Sequence, residues 1–322
     1  DFKPKNKNFN LIHIDINTNN SFVENIVEET DVLISNYYTS GKFSKKYFNK
    51  EKLIKINISH TLEYLKKVHD SNYKLDLERI EIEKSNFNFF DYILSFSNLE
   101  KETLIKKYSV SKEKIIDSTP GFNRKYFYDD KTISSTKIPN LKNDEKLILF
   151  VGRNDYLKGL DIVIDSFKKV SIYDRSISLG IVGGDLGSSK QKELAKQLIN
   201  ERSLGKIYWF GSIAQNKLRE YYKFSSLVII PSRSETFGIV CLEALSTETP
   251  VIVSKRGRME DFVNHMKNGI VLESISPEEL SKNIIMFFEK INDFAFTEND
   301  HKKLSKFDWQ NVLEDLYKKI SL

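Results

Sequence analysis

The residues best suited to chemistry lie in Pro231–Ser254, PSRSETFGIVCLEALSTETPVIVS. The apolar run Leu227–Ile230 ends in Pro231, and a polar loop carrying Glu235 follows. Gly238 then opens a helical run, Ile239–Ser246, before the next apolar run. Glu243 falls about one and a half turns into that helix. Both acids can then face one space above the strand ends. Thr236, Phe237 and Gly238 stand at a helix entry, where amide groups are free to bind oxygens. Such a set can hold hydroxyls and anionic groups of a ligand. A capped helix with two solvated acids would give the same spacing.

A second segment, LILFVGRNDYLKG (Leu147–Gly159), runs a buried strand into Gly152 and Arg153, and Lys158-Gly159 opens the next helix. Positive charge at a strand end and a helix start suits a phosphate; a surface Arg and Lys at a βα turn is the plainer alternative. Gly183-Gly184, after the strand ending in Val182, lets backbone approach a ligand, or makes a tight turn. His60 stands at a strand end in KINISHTLE, where a structural or exposed histidine is also expected. Thr61 is placed to cap the next helix. Arg79, in LERIEIEK, has Glu83 at i+4, the spacing of an ordinary helix ion pair.

These residues need a scaffold. Short β-branched runs alternate with longer amphipathic ones, which predicts parallel sheets covered by helices on both faces. Expected strands are Leu11–Ile16, Val32–Asn36, Leu53–Ile58, Tyr92–Phe96, Lys146–Val151, Ser176–Val182, Lys206–Phe210, Leu227–Pro231 and Pro250–Ser254. Expected helices include Lys158–Val170, Ser189–Arg202 and a final one, Asp308–Leu322, with Trp309, Val312, Leu313, Leu316 and Ile320 on one face. At 322 residues, about two domains are expected. The polar stretch Ser134–Glu145 is the best boundary. Ligands of doubly wound sheets bind beyond the carboxyl ends of the strands, where the motifs above fall.

Composition narrows the function. A net charge of +5 predicts neither strong nucleic-acid binding nor a disordered acidic chain. A hydrophobic share of 40% and a mean hydropathy of −0.42 suit a soluble protein with a sizeable core. The single cysteine, Cys241, excludes an internal disulfide and a cysteine zinc site, and its apolar helical setting reads as core. No run is long enough to span a bilayer. The sequence holds no Gly-x-Gly-x-x-Gly, no P-loop, no Gly-x-Ser-x-Gly elbow and no Asp-x-Asp.

Taken in order, ISHTL, FDYILSFSNLEKETL, KIIDSTPGFNRKYF, FVGRNDYLKGLDIVIDSF, GIVGGD, KIYWFGSIAQNKLREYYKFSSLVIIPSRSETFGIVCLEALSTETPVIV, NGIVL and FDWQNVLEDLY resemble the family-4 retaining glycosyltransferases with the GT-B fold. The resemblance covers nearly the whole chain. It implies two Rossmann-like doubly wound domains facing a cleft: an acceptor-side domain over 1–139, a nucleotide-sugar donor domain over 140–300, and a helix over 301–322 returning to the first domain. It implies transfer of a sugar from a nucleotide-diphosphate sugar, UDP-linked ahead of GDP-mannose, to a sugar, polyol, lipid-linked or protein-linked hydroxyl. By this resemblance Arg153 and Lys158 bind the donor diphosphate, and Glu243 holds the ribose. Glu235, with Phe237, Gly238 and Ile239, holds the sugar; Gly152 and Gly183 line the donor site, and His60 lies beside the scissile bond. No metal and no cofactor is implied.

HTL followed by RIEIE, and Pro-Gly in STPGFN, are similar to the branch of sucrose-phosphate synthases and the mycothiol glycosyltransferase. That finer likeness makes Thr61 and Arg79 an acceptor-phosphate pair, against the plainer helix cap and ion pair. The first strand and Gly-rich loop of the family are not seen, and the chain opens at Asp1 with a polar stretch, so a natural N-terminus upstream is expected. That departure motivates the alternative of an inactive sugar-nucleotide-binding subunit; a GT-B epimerase or phosphorylase is a further one. Glu248 stands where the family carries Gly. A cytoplasmic location is expected, with membrane contact through Lys42–Lys52, KFSKKYFNKEK, as one reading and a solvated helix face as the other.

Overall fold

The computed structural model describes residues 30–49, 53–69, 71–128, 138, 145–184 and 205–320. They fall into two compact units, Asp1–Asp117 and Ser118–Leu322. The expected strand Leu11–Ile16, the helix Ser189–Arg202 and most of the linker Ser134–Glu145 lie outside the described residues.

In the first unit, β1 (Val32–Asn36) leads into α1 (Tyr37–Tyr47), β2 (Ile54–Ile58), α2 (Glu63–His69), α3 (Leu77–Phe89), β3 (Tyr92–Ser95), α4 (Asn98–Tyr108) and β4 (Ile115–Asp117). The strands pair in parallel in sequence order, β1-β2-β3-β4. Parallel pairing puts every strand's carboxyl end at one edge, so Asn36 and His60 end up on the same side.

The second unit begins with α5 (Arg124–Tyr128) and continues through β5 (Lys146–Val151), α6 (Leu160–Tyr173), β6 (Ile177–Val182), β7 (Ile207–Gly211), α7 (Gln215–Phe224) and β8 (Leu227–Ile230). It closes with α8 (Ile239–Ser246), β9 (Val251–Ser254), α9 (Met259–Phe262), β10 (Gly269–Leu272), α10 (Pro277–Glu289), α11 (Glu298–Ser305) and α12 (Trp309–Ile320). Its sheet runs β10-β9-β8-β5-β6-β7, all parallel. The central strands are continuous apolar runs because helices cover both faces. Leu147, Leu149, Val228, Ile252 and Val253 are fully buried.

The unit boundary lies at 117/118 rather than 139/140. Residues 118–128 pack on the second unit: Phe122 forms a bridge with Asp308, Arg219 Nε donates to the Phe127 carbonyl at 3.2 Å, and the Trp309 ring covers Gly121. The last helix also differs from expectation. Val312, Leu316 and Ile320 are buried, a stripe at i+4 spacing, whereas Trp309 and Leu313 are half exposed.

Candidate active site

In the second unit the connection after β5 moves outward through β6 and β7, then returns to the other side of β5 for β8. The switch point of the sheet is thus the crevice between β5 and β8, where ligands of such sheets bind. The loop after β5 carries Gly152, Arg153 and Lys158; the loop after β8 carries Glu235. Lys158 Nζ and Glu235 Oε2 meet at 2.7 Å across it, with side chains 24% and 16% exposed. The other Glu235 oxygen accepts the Thr236 amide at 3.1 Å.

Backbone geometry explains the glycines. Gly183 has φ of 113°, and a Cβ there would overlap the Gly152 carbonyl oxygen. Gly159, at φ 75°, starts α6 directly against the Pro231 carbonyl. Asp155 caps the short turn before it, its Oδ1 accepting the Lys158 amide at 3.0 Å. The Arg153 guanidinium is 77% exposed and lies 3.2 Å from Asp155. Gly238, at φ 109°, caps α8; its carbonyl accepts the Cys241 and Leu242 amides, which leaves the Ile239 and Val240 amides at the helix mouth without an acceptor within the helix. Phe237 is buried there against Phe262 and Phe307.

The two acids have different surroundings, and neither is solvated. Glu243 is 4% exposed, and the fully buried Tyr222 donates its hydroxyl to Glu243 Oε2 at 2.8 Å. Burial pushes the Glu243 carboxyl up to about 7, held back by the bonds from Tyr222 and Gln215. Cys241, two residues earlier, is buried, and desolvation raises its thiol.

Sequence reasoning passed over Arg233, although it stands within the leading motif. Its guanidinium forks onto Asp161 at 2.7 and 2.6 Å, donates to the Tyr156 carbonyl at 2.7 Å and stacks 3.9 Å over the Tyr156 ring. The Arg233 and Ser234 amides both donate to the Leu157 carbonyl. This clamp fixes the Glu235 loop to the turn that presents Lys158. Tyr222 was also missed, because nothing marks a tyrosine 21 residues away as the partner of Glu243.

In the first unit His60 follows β2 with φ of 58°, and Tyr37 follows β1 with φ of 72°. Two non-glycine residues held left-handed at adjacent strand ends are a mark of functional sites. His60 Nε2 lies 3.1 Å from Asn36 Oδ1, and the ring lies near Phe96. Loss of water around the ring lowers the His60 pKa, favouring neutral imidazole. Arg79 is 4% exposed. It donates to Glu83 at 2.7 Å, to the Thr61 carbonyl and hydroxyl at 2.7 and 3.0 Å, and lies 3.5 Å from Glu63. Its guanidinium thus ties α2 to α3, the ion pair that i+4 spacing predicts. Thr61 does not cap α2; its oxygens are taken by Arg79, and Glu83 Oε2 accepts the Glu63 amide instead. The Glu83 carboxylate also accepts the Tyr108 hydroxyl. Burial raises its pKa despite these donors.

Residues 132–302, just over half of the chain, match the model of the family described as glycosyl transferases group 1. A glycosyltransferase of Methanocaldococcus jannaschii is 28% identical over 233 residues, 69% of this chain and 58% of that protein. The mannosylfructose-phosphate synthase of Agrobacterium fabrum is 24% identical over 301 residues, 88% of this chain and 66% of that protein. The chain therefore spans roughly three fifths of the length of the curated relatives it matches. Among solved structures, sucrose-phosphate synthase from Thermosynechococcus elongatus superposes with a TM-score of 0.73 at 23% identity, over 98% of this chain and 82% of that one. Anabaena HepE in complex with UDP-glucose gives 0.77 at 16% identity, over 94% and 81%. These likenesses establish a shared fold.

Proposed function

The chain belongs to the group 1 glycosyltransferases, and from that premise we propose that it moves a sugar from a nucleotide-diphosphate sugar, UDP-linked, to a hydroxyl acceptor with retention of configuration. The observation that carries this reading is the Lys158–Glu235 pair set across the β5/β8 switch point. Negative charge grows on the departing diphosphate as the glycosidic bond breaks. Lys158 on its clamped turn and the exposed Arg153 balance that charge, as do the first amides of α8 around Gly238 and Ile239. Gly183 lets its loop close directly onto the Gly152 peptide, so the two loops that line the donor site in this reading pack backbone to backbone. Glu235 accepts from sugar hydroxyls, and Glu243 from the ribose. Protein cations supply the balancing charge, so the reading is metal-independent and activity is expected to survive a chelator. UDP is favoured because HepE, which shares the fold, has been solved with UDP-glucose.

His60, in the first unit, keeps in this reading the role that the family resemblance implies. Its Nε2 lies 3.1 Å from Asn36 Oδ1, and loss of water around the ring favours the neutral imidazole. The test is a thermal-shift panel of UDP, GDP, ADP and dTDP, followed by mass spectrometry of the matching donors with and without Lys158→Ala. Selective stabilisation by one nucleotide, and donor consumption lost in the variant, is the expected result. No stabilisation by any nucleotide would overturn the donor site. Nucleotide binding without donor consumption would overturn the transferase reading in favour of a binding subunit.

A further inference from the structure

A cavity of about 510 Å³ lies in the first unit between α1 and the start of α3, within the range of small-molecule sites (~300–1,000 Å³). Three aromatic side chains of α1, Tyr38, Phe43 and Tyr47, line it. They are preorganised. Phe43 and Tyr47 pack at 4.7 Å between ring centroids, and the buried Arg79 guanidinium stacks 4.6 Å from the Tyr38 ring. Asn86 Nδ2 donates to the Tyr38 carbonyl at 2.9 Å, fixing α1 on α3.

The rest of the lining carries charges of both signs, Lys42 and Lys46 from α1, Asp76 and Glu78 from the start of α3. Among the described residues none of these four has an ion-pair partner. Lys46 lies over the Tyr47 ring, and Asp76 accepts the Arg79 amide. The mixture of signs selects the occupant. An anionic headgroup meets Asp76 and Glu78. A cation meets the two lysines. A hydrocarbon tail would desolvate four charges without replacing their hydrogen bonds. A neutral polyhydroxylated ligand satisfies all of them. Its hydroxyls accept from lysine, which only donates, and donate to carboxylates, which only accept. Its C–H faces lie on aromatic rings, whose faces are electron-rich.

We propose that this cavity binds a neutral saccharide, the non-reacting sugar of a glycan acceptor. The assignment to the acceptor rests on the transferase reading; the binding itself does not. The proposal also places Lys42 and Lys46 on a ligand rather than on a membrane surface.

The test is saturation-transfer-difference NMR on nucleotide-free protein with maltose, cellobiose, lactose and sucrose as probes. Inorganic phosphate and anionic phosphatidylglycerol vesicles are measured alongside. Glu78→Gln and Tyr47→Ala are the variants, with thermal melting as the fold control. At least one disaccharide should bind, with affinity falling about fivefold or more in Glu78→Gln, the loss of one charge-assisted hydrogen bond. Tyr47→Ala should abolish the signal from the ring protons. No disaccharide signal at about 10 mM, well above a millimolar dissociation constant, would overturn the proposal. So would a signal that both folded variants leave unchanged, or binding confined to phosphate or vesicles. Because no nucleotide is present, failure here is separate from failure of the donor site, which the nucleotide panel reads.

Discussion

Glu243→Gln tests whether the buried acid of α8 is what its surroundings make it. Burial raises its pKa to about 7 from the ordinary 4.5. Between those values the folded chain still holds the proton while the unfolded chain has lost it. Fewer protons on the unfolded state means that stability falls as pH rises through this window, and the loss is complete above about 7. A shift of about 2.5 units corresponds to about 3 kcal/mol, of which about 2.5 kcal/mol is expressed between pH 5 and pH 8. The side chain is 4% exposed, so solvent screening removes little of this. Glutamine keeps the shape and an acceptor for the Tyr222 hydroxyl but does not titrate.

The assay is urea unfolding followed by tryptophan fluorescence across pH 5–8. Both tryptophans, Trp209 and Trp309, lie in the second unit with Glu243, so the signal reports that unit. Among the described residues the other acid raised to about 7, Glu100, lies in the first unit and does not contribute to it. The wild-type chain should lose about 2.5 kcal/mol more than Glu243→Gln between the two pH values. Tyr222→Phe, which removes a donor that favours the carboxylate, should move the window to higher pH. Equal pH slopes in wild type and Glu243→Gln would refute the reasoning.

Three further outcomes are expected. Lys158→Ala or Arg153→Ala should cost about 2–4 kcal/mol in kcat/KM for donor hydrolysis, the scale of one lost oxyanion donor; unchanged kinetics would remove that residue from the diphosphate site. Gly183→Ala should destabilise the second unit by about 3 kcal/mol, because φ of 113° strains alanine and the added Cβ displaces the Gly152 peptide, read as a lower urea midpoint. Glu248 sits at φ 61° and meets His301 Nε2 at 2.9 Å. Glu248→Gly relieves about 1 kcal/mol of strain against a pair worth about 0–1 kcal/mol. Its melting temperature should therefore stay near wild type, while Glu248→Ala, which keeps the strain and loses the pair, should melt lower.

Strands with strong apolar runs were legible in the sequence: Val32–Asn36 and Lys146–Val151 form where the pattern places them. β4 was not, because Ile115–Asp117 is only three residues long and is a strand through its pairing with β3. β10 was likewise masked within NGIVL, a run too short to separate strand from turn without the β9 partner. Lys158 and Glu235 were readable as residues of the right type, but not as a pair. They are 77 residues apart in the chain, and their meeting depends on the crossover that seats β8 beside β5. The left-handed backbone of His60 was also hidden, since only glycine advertises positive φ. Arg79 was visible as an i+4 partner of Glu83, but its bonds to Thr61 and its approach to Glu63 come from tertiary packing.

The loops of the second unit bear on why this edge can do chemistry at all. Connecting loops are ordinarily the mobile part of a fold, whereas a charge clamp works only if its groups are already in place when the leaving group departs. Here the strand ends and loops after β5, β6, β7, β8 and β9 support one another through bonds to main-chain carbonyls. The Gly152 amide donates to the Val182 carbonyl, and the Gly183 amide to that of Gly211. Gly159 lies against Pro231, and Leu157 accepts from Arg233 and Ser234. Ser254 Oγ donates to the Ser232 carbonyl at 2.7 Å, Arg256 Nε to that of Arg233 at 3.1 Å, and the Arg258 amide to that of Phe237 at 3.0 Å. The acceptors are main-chain carbonyls, and at 152/183 and 159/231 the approach is close enough to require glycine. The glycines and serines of this edge therefore position Lys158 and Glu235 as surely as the residues that touch them, and the rigidity of the pair is a property of the whole loop layer.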